Sequence, residues 1–410
     1  MLTALYPARS APAPAAELAD RWRNAWLQAV LLVAVSYQLW LCFAHTQFGL
    51  GGREVVVLAE IMILAACLPL LLRRLPLELC LAAALVLANG VVLALARGDF
   101  DAKPLRDLLV PLVFLWVGVN TPGGATTADR LLRRAIWLAL GVALFEFFFV
   151  DLYTRLFDIY SYYVARGAAD PEMGLYRSDR LVASGMRPEG IGRTILPFLG
   201  PHRVSSFFIE PVSFGNFAVI CAAWGLAKAR DEWRSTLFFV AAAAAMLVLN
   251  DSRFGLVTMA LLVILRLLLV RGAEPFGIAF PFICAAAVIA IAIATGGTYS
   301  DSFIGRLTLT GDTLLRMDGA EIFGLVAPSH GYFDMGYPYV LANFGLLATF
   351  ALWGAFWLLP MTSDPARRFR VYVALYLALI LCVSGTSVFA FKTSALLWFL
   401  LGSFAAGREA

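Results

Sequence analysis

The stretch Arg203-Val-Ser-Ser-Phe-Phe-Ile-Glu-Pro-Val-Ser-Phe-Gly-Asn-Phe217 joins a long polar segment to an apolar one. We expect the apolar part to be a helix that already includes Glu210 and Pro211. An ionisable group inside a bilayer costs about 2.5–3.5 kcal/mol on insertion scales, so it usually faces a protein interior or a wet cavity and often marks a functional site. This junction is therefore the first candidate for a site.

Composition indicates a polytopic membrane protein. The chain has 410 residues, of which 61% are apolar and only 15% are charged, and its mean hydropathy is +0.80. These values lie far outside those of soluble domains. The six cysteines lie in or beside apolar runs without a Cys-x-x-Cys pair, so neither a disulfide framework nor a zinc site is indicated. We expect an all-α fold and no nucleic-acid partner.

Hydropathy predicts about twelve transmembrane helices, because about 20 apolar residues are needed to cross the hydrocarbon of a bilayer. The predicted spans are 25–43, 55–72, 77–95, 105–119, 133–150, 207–229, 237–249, 254–270, 276–295, 335–359, 371–384 and 389–404. The residues up to about Glu17 are rich in alanine and proline and are typical of a disordered tail. They lack the pattern of a cleaved signal peptide, so the first span is expected to be retained.

Basic residues predict the orientation, because short connections rich in arginine and lysine stay cytoplasmic. With both termini cytoplasmic, every even-numbered connection carries base. Together with the two terminal tails, these cytoplasmic segments hold Arg21, Arg23, Arg73, Arg74, Arg130, Arg133, Arg134, Lys228, Arg230, Arg234, Arg271, Arg367, Arg368, Arg370 and Arg408. Two long loops, 151–206 and 296–334, then face the other side. On the assumption of a bacterial inner membrane, that side is the periplasm.

This topology divides the chain into six segments. They are a cytoplasmic tail (1–24), helices 1–5 (25–150), the first long loop (151–206), helices 6–9 (207–295), the second long loop (296–334), and helices 10–12 with the C-terminal tail (335–410).

Four polar features converge on the predicted periplasmic face: Arg203, Glu210, the turn Asn250-Asp-Ser-Arg-Phe-Gly255, and His330 with Asp334. Arginine offers a planar, permanently charged fork for phosphate oxygens, and two arginines on one cavity suit a pyrophosphate. A histidine near its ordinary pKa can take a proton from a sugar hydroxyl at neutral pH. The pattern is typical of a phosphate and sugar site.

Structural roles remain open for the same residues. Arg253 could pair with Asp251 or cap a helix, Arg203 could be a surface residue, and His330 could be an ordinary loop histidine. Glu210 could orient Arg203 or an arginine of the first long loop. Pro211 and Gly215 are expected to loosen their helix, so that a cavity can open toward the turn at Arg253.

Several short motifs resemble the O-antigen polymerase and ligase superfamily. They are the turn Ser252-Arg253-Phe254-Gly255, a late loop with His330, and the span start from Gly336-Tyr337 to Asn343-Phe-Gly345. The Arg203–Phe217 stretch is similar to the version in exopolysaccharide polymerases of the xanthan type. The resemblance covers roughly residues 203–345, while the N-terminal spans match only in character.

The resemblance implies a metal-independent glycosyl transfer between undecaprenyl-pyrophosphate-linked sugars, with no cofactor. Arg203 and Arg253 would hold the pyrophosphate, and His330 would activate the acceptor hydroxyl. The sequence departs from the ligase pattern because His330 is followed by glycine and then by Asp334, so Asp334 is the alternative base. The remaining motif residues expected to contact substrate are Glu210, Ser252 and Tyr337.

The implied partners are the lipid-linked oligosaccharide, the lipid bilayer, a chain-length regulator and a flippase. Three alternatives to a polymerase stay open. A ligase of the same superfamily would use another acceptor, such as lipid A core. A flippase would need charged residues distributed through its spans and two pseudo-symmetric halves, whereas the charges here concentrate on one face and no repeat is visible. A scaffold or sensor would leave the convergence of Arg203, Arg253 and His330 unexplained.

Overall fold

The computed structural model describes residues 14–169, 181, 185–186, 193–268, 274–297, 302–328, 331–332 and 334–405, with side chains from residue 21. Within these ranges every regular element is a helix. This confirms the all-α fold class. All six cysteines lie in the described residues, and none of them forms a disulfide bond.

The first seven helices are α1 (Pro14–Phe48), α2 (Arg53–Leu71), α3 (Leu77–Arg97), α4 (Ala102–Val119), α5 (Gly124–Phe148), α6 (Val150–Leu156) and α7 (Ile159–Ala165). The next five are α8 (Pro211–Ala227), α9 (Trp233–Asn250), α10 (Arg253–Leu268), α11 (Glu274–Thr295) and α12 (Phe303–Arg316). The last five are α13 (Gly319–Ile322), α14 (Gly336–Phe344), α15 (Leu346–Leu358), α16 (Asp364–Ile380) and α17 (Phe391–Ala405). Short 3-10 turns cover Pro197–Leu199 and Ser206–Phe208.

Several helices are long and apolar enough to cross a membrane. Five described helices meet this condition by themselves, and up to seven spans result if each of two bent helix pairs counts as one. All twelve predicted ranges overlap a helix, but the count of twelve spans remains a prediction. Large apolar side chains are exposed on α2, α3 and α11, Ile61, Leu87 and Ile283 among them. Such surfaces suit contact with lipid.

The predicted span 335–359 is not one straight helix. Helices α14 and α15 meet at Gly345 with a bend of 107°. Gly345 has φ 77°, and a Cβ atom there would lie 2.6 Å from the carbonyl oxygen of Phe323. Arg97 satisfies carbonyl groups freed by the break, since its Nη2 donates to Ala342 O at 2.7 Å. The break is therefore built into the packing.

The first long loop begins with two short helices. Helices α6 and α7 follow α5 after a bend of 110° and pack against α1. Helix α1 itself begins at Pro14, inside the segment predicted as a tail.

Helix α17 lies at the centre of the bundle. It packs against α1, α4, α5, α8 and α16, and almost all of its residues are buried. Glycines allow its backbone to touch that of α4: a Cβ atom on Gly118 would lie 2.3 Å from Phe399 O, and one on Gly402 would lie 2.1 Å from Leu115 O. Lys392 lies in the first turn of this helix.

The polar contacts of the bundle gather at two opposite ends. One end, which we call the basic end, joins Asp129, Lys228 and Arg368. Lys228 Nζ lies 2.6 Å from Asp129 Oδ1, and Arg368 Nε donates to Ala227 O at 2.9 Å. The other end, which we call the polar end, contains Glu60, Arg106, Glu146, Glu210 and Lys392. Which end faces the cytoplasm remains a prediction.

Candidate functional site

The chain enters α8 through a strained segment, residues 204–210, which we call the junction segment. Ser206 has φ 55° and Ile209 has φ 51°, a left-handed conformation that is rare for a β-branched residue. Ile209 stops any helix that would run through it, and α8 starts afresh at Pro211 with Glu210 as its N-cap. Proline suits the first helical position. The prediction that the helix already includes Glu210 is therefore wrong.

A buried carboxylate holds the strained backbone of the junction segment. Glu146 is fully buried, and its two oxygens accept hydrogen bonds from Ser205 N at 3.0 Å, from Ser205 Oγ at 3.0 Å and from Ser206 N at 2.6 Å. His202 Nε2 lies 3.1 Å from Glu146 Oε1. Strained residues persist only where the surroundings over-determine them, and they cluster at active sites.

Three further side chains fix carbonyl groups of the junction segment and of the helix start. Tyr153 OH donates to Ser206 O at 2.9 Å, Lys392 Nζ donates to Phe208 O at 2.7 Å, and Asn250 Nδ2 donates to Val204 O at 2.9 Å and to Pro211 O at 2.5 Å. These donors come from α6, α17 and α9. The segment is thus held from several sides at once.

Glu210 is paired with a lysine of α17 and not with Arg203. Lys392 Nζ lies 3.2 Å from Glu210 Oε2 and is 4% exposed, whereas Glu210 is 35% exposed. Ser213 Oγ also donates to Glu210 Oε2 at 2.7 Å. The expectation that Glu210 orients Arg203 is corrected, because Lys392 makes the ion pair. The alternative, an arginine of the first long loop, stays open.

A chain of hydrogen bonds leads from Lys392 across the bundle. Its successive links are Lys392 Nζ to Gln38 Oε1 (3.0 Å), Gln38 Nε2 to Tyr37 OH (3.2 Å), Tyr37 OH to Glu60 Oε1 (2.7 Å), Arg106 Nη1 to Glu60 Oε2 (3.0 Å), Arg106 Nη2 to Asp107 Oδ1 (2.6 Å) and Tyr339 OH to Asp107 Oδ2 (2.5 Å). It connects α17, α1, α2, α4 and α14. We call these residues, with Glu210, the polar network.

The polar network reaches into the helices. Glu60 follows the start of α2 by about 10 Å and Asp107 follows the start of α4 by about 8 Å, at 1.5 Å per residue. The sequence analysis placed the charged residues on one face of the membrane. This is corrected here, because Glu60 and Asp107 lie inside predicted spans. They nevertheless join the same end as Glu210.

Arg203 is hydrogen-bonded to the 250–253 turn, and Arg253 is the last residue of that turn. Arg203 Nε donates to Asn250 O at 3.1 Å, and Arg253, which is exposed, donates from Nε to Thr194 Oγ1 at 2.5 Å. Thr194 is tied to the same turn, because its backbone N–H donates to Asp251 Oδ1 at 3.0 Å. Two arginines from separate connections therefore share one anchoring turn.

Ser252 and Gly215 bring α10 against α8. Ser252 Oγ accepts from Gly255 N at 3.1 Å and caps the start of α10. A Cβ atom on Gly215 would lie 2.7 Å from Ser252 Oγ and 3.1 Å from Asn250 Oδ1. The prediction that Pro211 and Gly215 loosen the helix is therefore wrong, since the glycine permits a tight contact.

Two other predicted site residues, Asp334 and Tyr337, contact elements other than the 250–253 turn. Asp334 is exposed, and its Oδ1 lies 3.9 Å from Arg306 Nη1. Tyr337 is buried, and its hydroxyl donates to Ala378 O at 3.0 Å. His330 lies outside the described residues. The structure thus gathers Arg203, Ser252 and Arg253, while Asp334 and Tyr337 contact other elements.

Sequence reasoning missed the residues that hold the site together. Glu60, Arg106, Glu146 and Lys392 each lie inside a predicted span, and an ionisable residue in a span is itself a signal of function. Their positions inside helices were predictable from that signal, but their partners were not. In the described part of the chain, no three His, Cys, Asp or Glu side chains come together in a way that could hold a metal ion.

Comparisons with known proteins identify no family for this chain. No protein-family model matches the chain, and no curated protein or solved structure is significantly similar to it.

Proposed function

We propose that this chain is a glycosyltransferase that polymerises a lipid-linked glycan. It transfers the growing chain from undecaprenyl pyrophosphate to the end of a lipid-linked repeat unit. The observation that carries the proposal is the attachment of Arg203 and Arg253 to one turn, beside a strained and heavily anchored segment. Two arginines held at one turn offer two guanidinium forks, and such forks suit the oxygens of a pyrophosphate.

The chemistry is a substitution at the anomeric carbon of the donor sugar. An acceptor hydroxyl forms the new glycosidic bond, its proton passes to His330 or Asp334, and undecaprenyl pyrophosphate leaves. The leaving group gains charge as its bond to the sugar breaks. Fixed guanidinium groups therefore stabilise the transition state more than the ground state.

The cellular arrangement belongs to the same proposal. The basic end would face the cytoplasm, because basic connections are retained there. The polar end, with the strained segment and both arginines, would then face the periplasm of a bacterial inner membrane. Twelve spans with both termini in the cytoplasm fit this arrangement.

Complementation of a deletion strain tests the proposal. Wild-type protein should restore long-chain polysaccharide, and Arg203→Ala and Arg253→Ala should not, while Arg316→Ala is the matched control. Arg316 is 76% exposed and pairs with Asp312 of its own helix. Normal amounts of long-chain product in both variants would reject the proposal. Analysis of the product separates a polymerase from a ligase, because a ligase attaches the chain to a different acceptor.

A flippase for lipid-linked oligosaccharides is the second candidate, and two observations favour it. Charged residues lie inside several helices, and the break between α14 and α15 resembles the discontinuous helices of transporters. In a deletion strain, substrate that accumulates on the cytoplasmic leaflet would support the flippase. Substrate that accumulates as single repeat units on the periplasmic leaflet would support the polymerase.

A further inference from the structure

Two polar side chains near the end of α7, Tyr163 and Arg166, interact electrostatically with Glu210 of the ion pair. Arg166 follows α7, and the central carbon of its guanidinium lies 4.0 Å from the ring centre of Tyr163. Its Nε atom is buried without a hydrogen-bond partner among the described residues. Burial would lower the pKa of Arg166, but Tyr163, Tyr162 and Glu210 raise it. Arg166 is therefore a permanent cation with an unused donor.

Tyr163 presents a second unused group to the same place. Its side chain is 7% exposed, and its hydroxyl has no hydrogen-bond partner in the part of the chain that the structure describes. Buried polar groups in proteins are nearly always hydrogen-bonded, so an unused hydroxyl beside an unused guanidinium donor calls for a bound partner.

Glu210 completes the group with an acceptor. Its contacts to Ser213 and Lys392 both use Oε2, and its 35% exposure leaves the carboxylate accessible. Lys392 cannot bind a ligand in the same way, because its ammonium already contacts Glu210 Oε2, Gln38 Oε1 and Phe208 O. Lys392 is thus a positioning residue for Glu210.

We infer that Tyr163, Arg166 and Glu210 form a subsite for the hydroxyl groups of a sugar residue. The inference rests on the proposed function, since it assigns the subsite to the glycan substrate. Glu210 needs a ligand that donates a hydrogen bond, while Arg166 needs one that accepts. A sugar hydroxyl does both, and the phenol of Tyr163 can serve either role. An oxyanion offers no donor to Glu210 and is repelled by its charge.

Binding of simple glycosides to the full-length protein in detergent tests the subsite. The probes are methyl α-D-glucopyranoside and methyl α-D-mannopyranoside, followed by saturation-transfer NMR. Tyr163→Phe, which removes one hydroxyl, should raise the apparent Kd about 5-fold, and Arg166→Gln should raise it about 20-fold, as expected for a neutral and a charge-assisted hydrogen bond. Tyr160→Phe on the same helix is the control and should bind like the wild type.

Three results would overturn the inference: no saturation transfer to either glycoside by folded wild-type protein, equal transfer in wild type and both variants, or displacement of the glycosides by inorganic phosphate. Elution volume and helical circular dichroism show that each variant is folded. The assay requires no glycosyl transfer, so its outcome is separate from the proposed function. Glycoside binding without polymerisation would leave the subsite standing, and polymerisation without such binding would reject the subsite alone.

Discussion

Lys392 Nζ lies 3.2 Å from Glu210 Oε2, and the same ammonium group donates to Phe208 O at 2.7 Å. One buried cation thus fixes both the carboxylate and the strained backbone that precede α8. Because Lys392 also donates to Gln38, the start of α8 is coupled to α1. We consider this lysine the centre of the polar end.

Loss of the charge on Glu210 should leave Lys392 buried without its counter-ion. We expect Glu210→Gln to lower the free energy of unfolding by about 3 kcal/mol, the lower end of the range for a broken buried pair, because Glu210 is 35% exposed. The double variant Glu210→Gln/Lys392→Met should be more stable than Glu210→Gln alone. Thermal unfolding in detergent, followed by tryptophan fluorescence, measures both. If the losses in Glu210→Gln and in Lys392→Met alone add up to the loss in the double variant, the two side chains are not coupled.

Glu146 should be required for the strained conformation of the junction segment. Glu146→Ala removes the acceptor of hydrogen bonds from Ser205 and Ser206, and an unsatisfied buried donor costs about 1–3 kcal/mol. We expect Glu146→Ala to lower the melting temperature clearly and to reduce the amount of polysaccharide formed in the proposed reaction. Glu146→Gln keeps one acceptor oxygen and should lose less. An unchanged melting temperature in Glu146→Ala would contradict this role.

The contact between α8 and α10 should depend on the absence of a side chain at Gly215. In Gly215→Ala the new Cβ atom meets Ser252 Oγ at 2.7 Å, and overpacking typically costs about 1–3 kcal/mol. Gly141→Ala is the matched control, because Gly141 is also helical and has open space around its Cβ position. We expect the control to be neutral or slightly stabilising. Equal melting temperatures for both variants would contradict the tight contact.

The proposed function assigns the base to His330 or Asp334, and a comparison of His330→Ala with Asp334→Ala in purified protein given lipid-linked repeat units tests this assignment. We expect one variant to lose about 100-fold or more in turnover, within the usual contribution of a general base. The other variant should lose little. Asp334 is exposed and lies 3.9 Å from Arg306, so a purely structural effect on folding is not expected. Wild-type turnover in both variants would remove both residues from the mechanism.

Hydropathy alone predicted most of the long helices, because each predicted range overlaps a described helix, but it did not predict α6 and α7 in the first long loop or α12 and α13 in the second. It could not predict the bend at Gly345 or the left-handed conformation of Ile209, since both depend on contacts with distant elements. Ile209 in particular has a β-branched side chain that disfavours the conformation it adopts. Only the anchors around it, such as Glu146, explain why it persists.

The candidate site was predictable in part. Two arginines were expected together from their positions at the ends of apolar runs, and Arg203 and Arg253 do share one turn. The partner of Glu210 was not predictable, because Lys392 comes from the last helix of the chain and sequence distance gives no information on such a pair. Gly215 was misinterpreted because glycine permits either flexibility or close packing. Only the packed structure separates the two.

The most direct test of the central claim is turnover of the purified protein with lipid-linked repeat units in the presence of a chelator. We predict that wild-type protein and Arg316→Ala still form long glycans, and that Arg253→Ala is slower by about 100-fold or more, the usual effect of removing a group that stabilises transition-state charge. Undiminished turnover in Arg253→Ala, or activity that disappears with chelator and returns with Mg²⁺, would contradict the account.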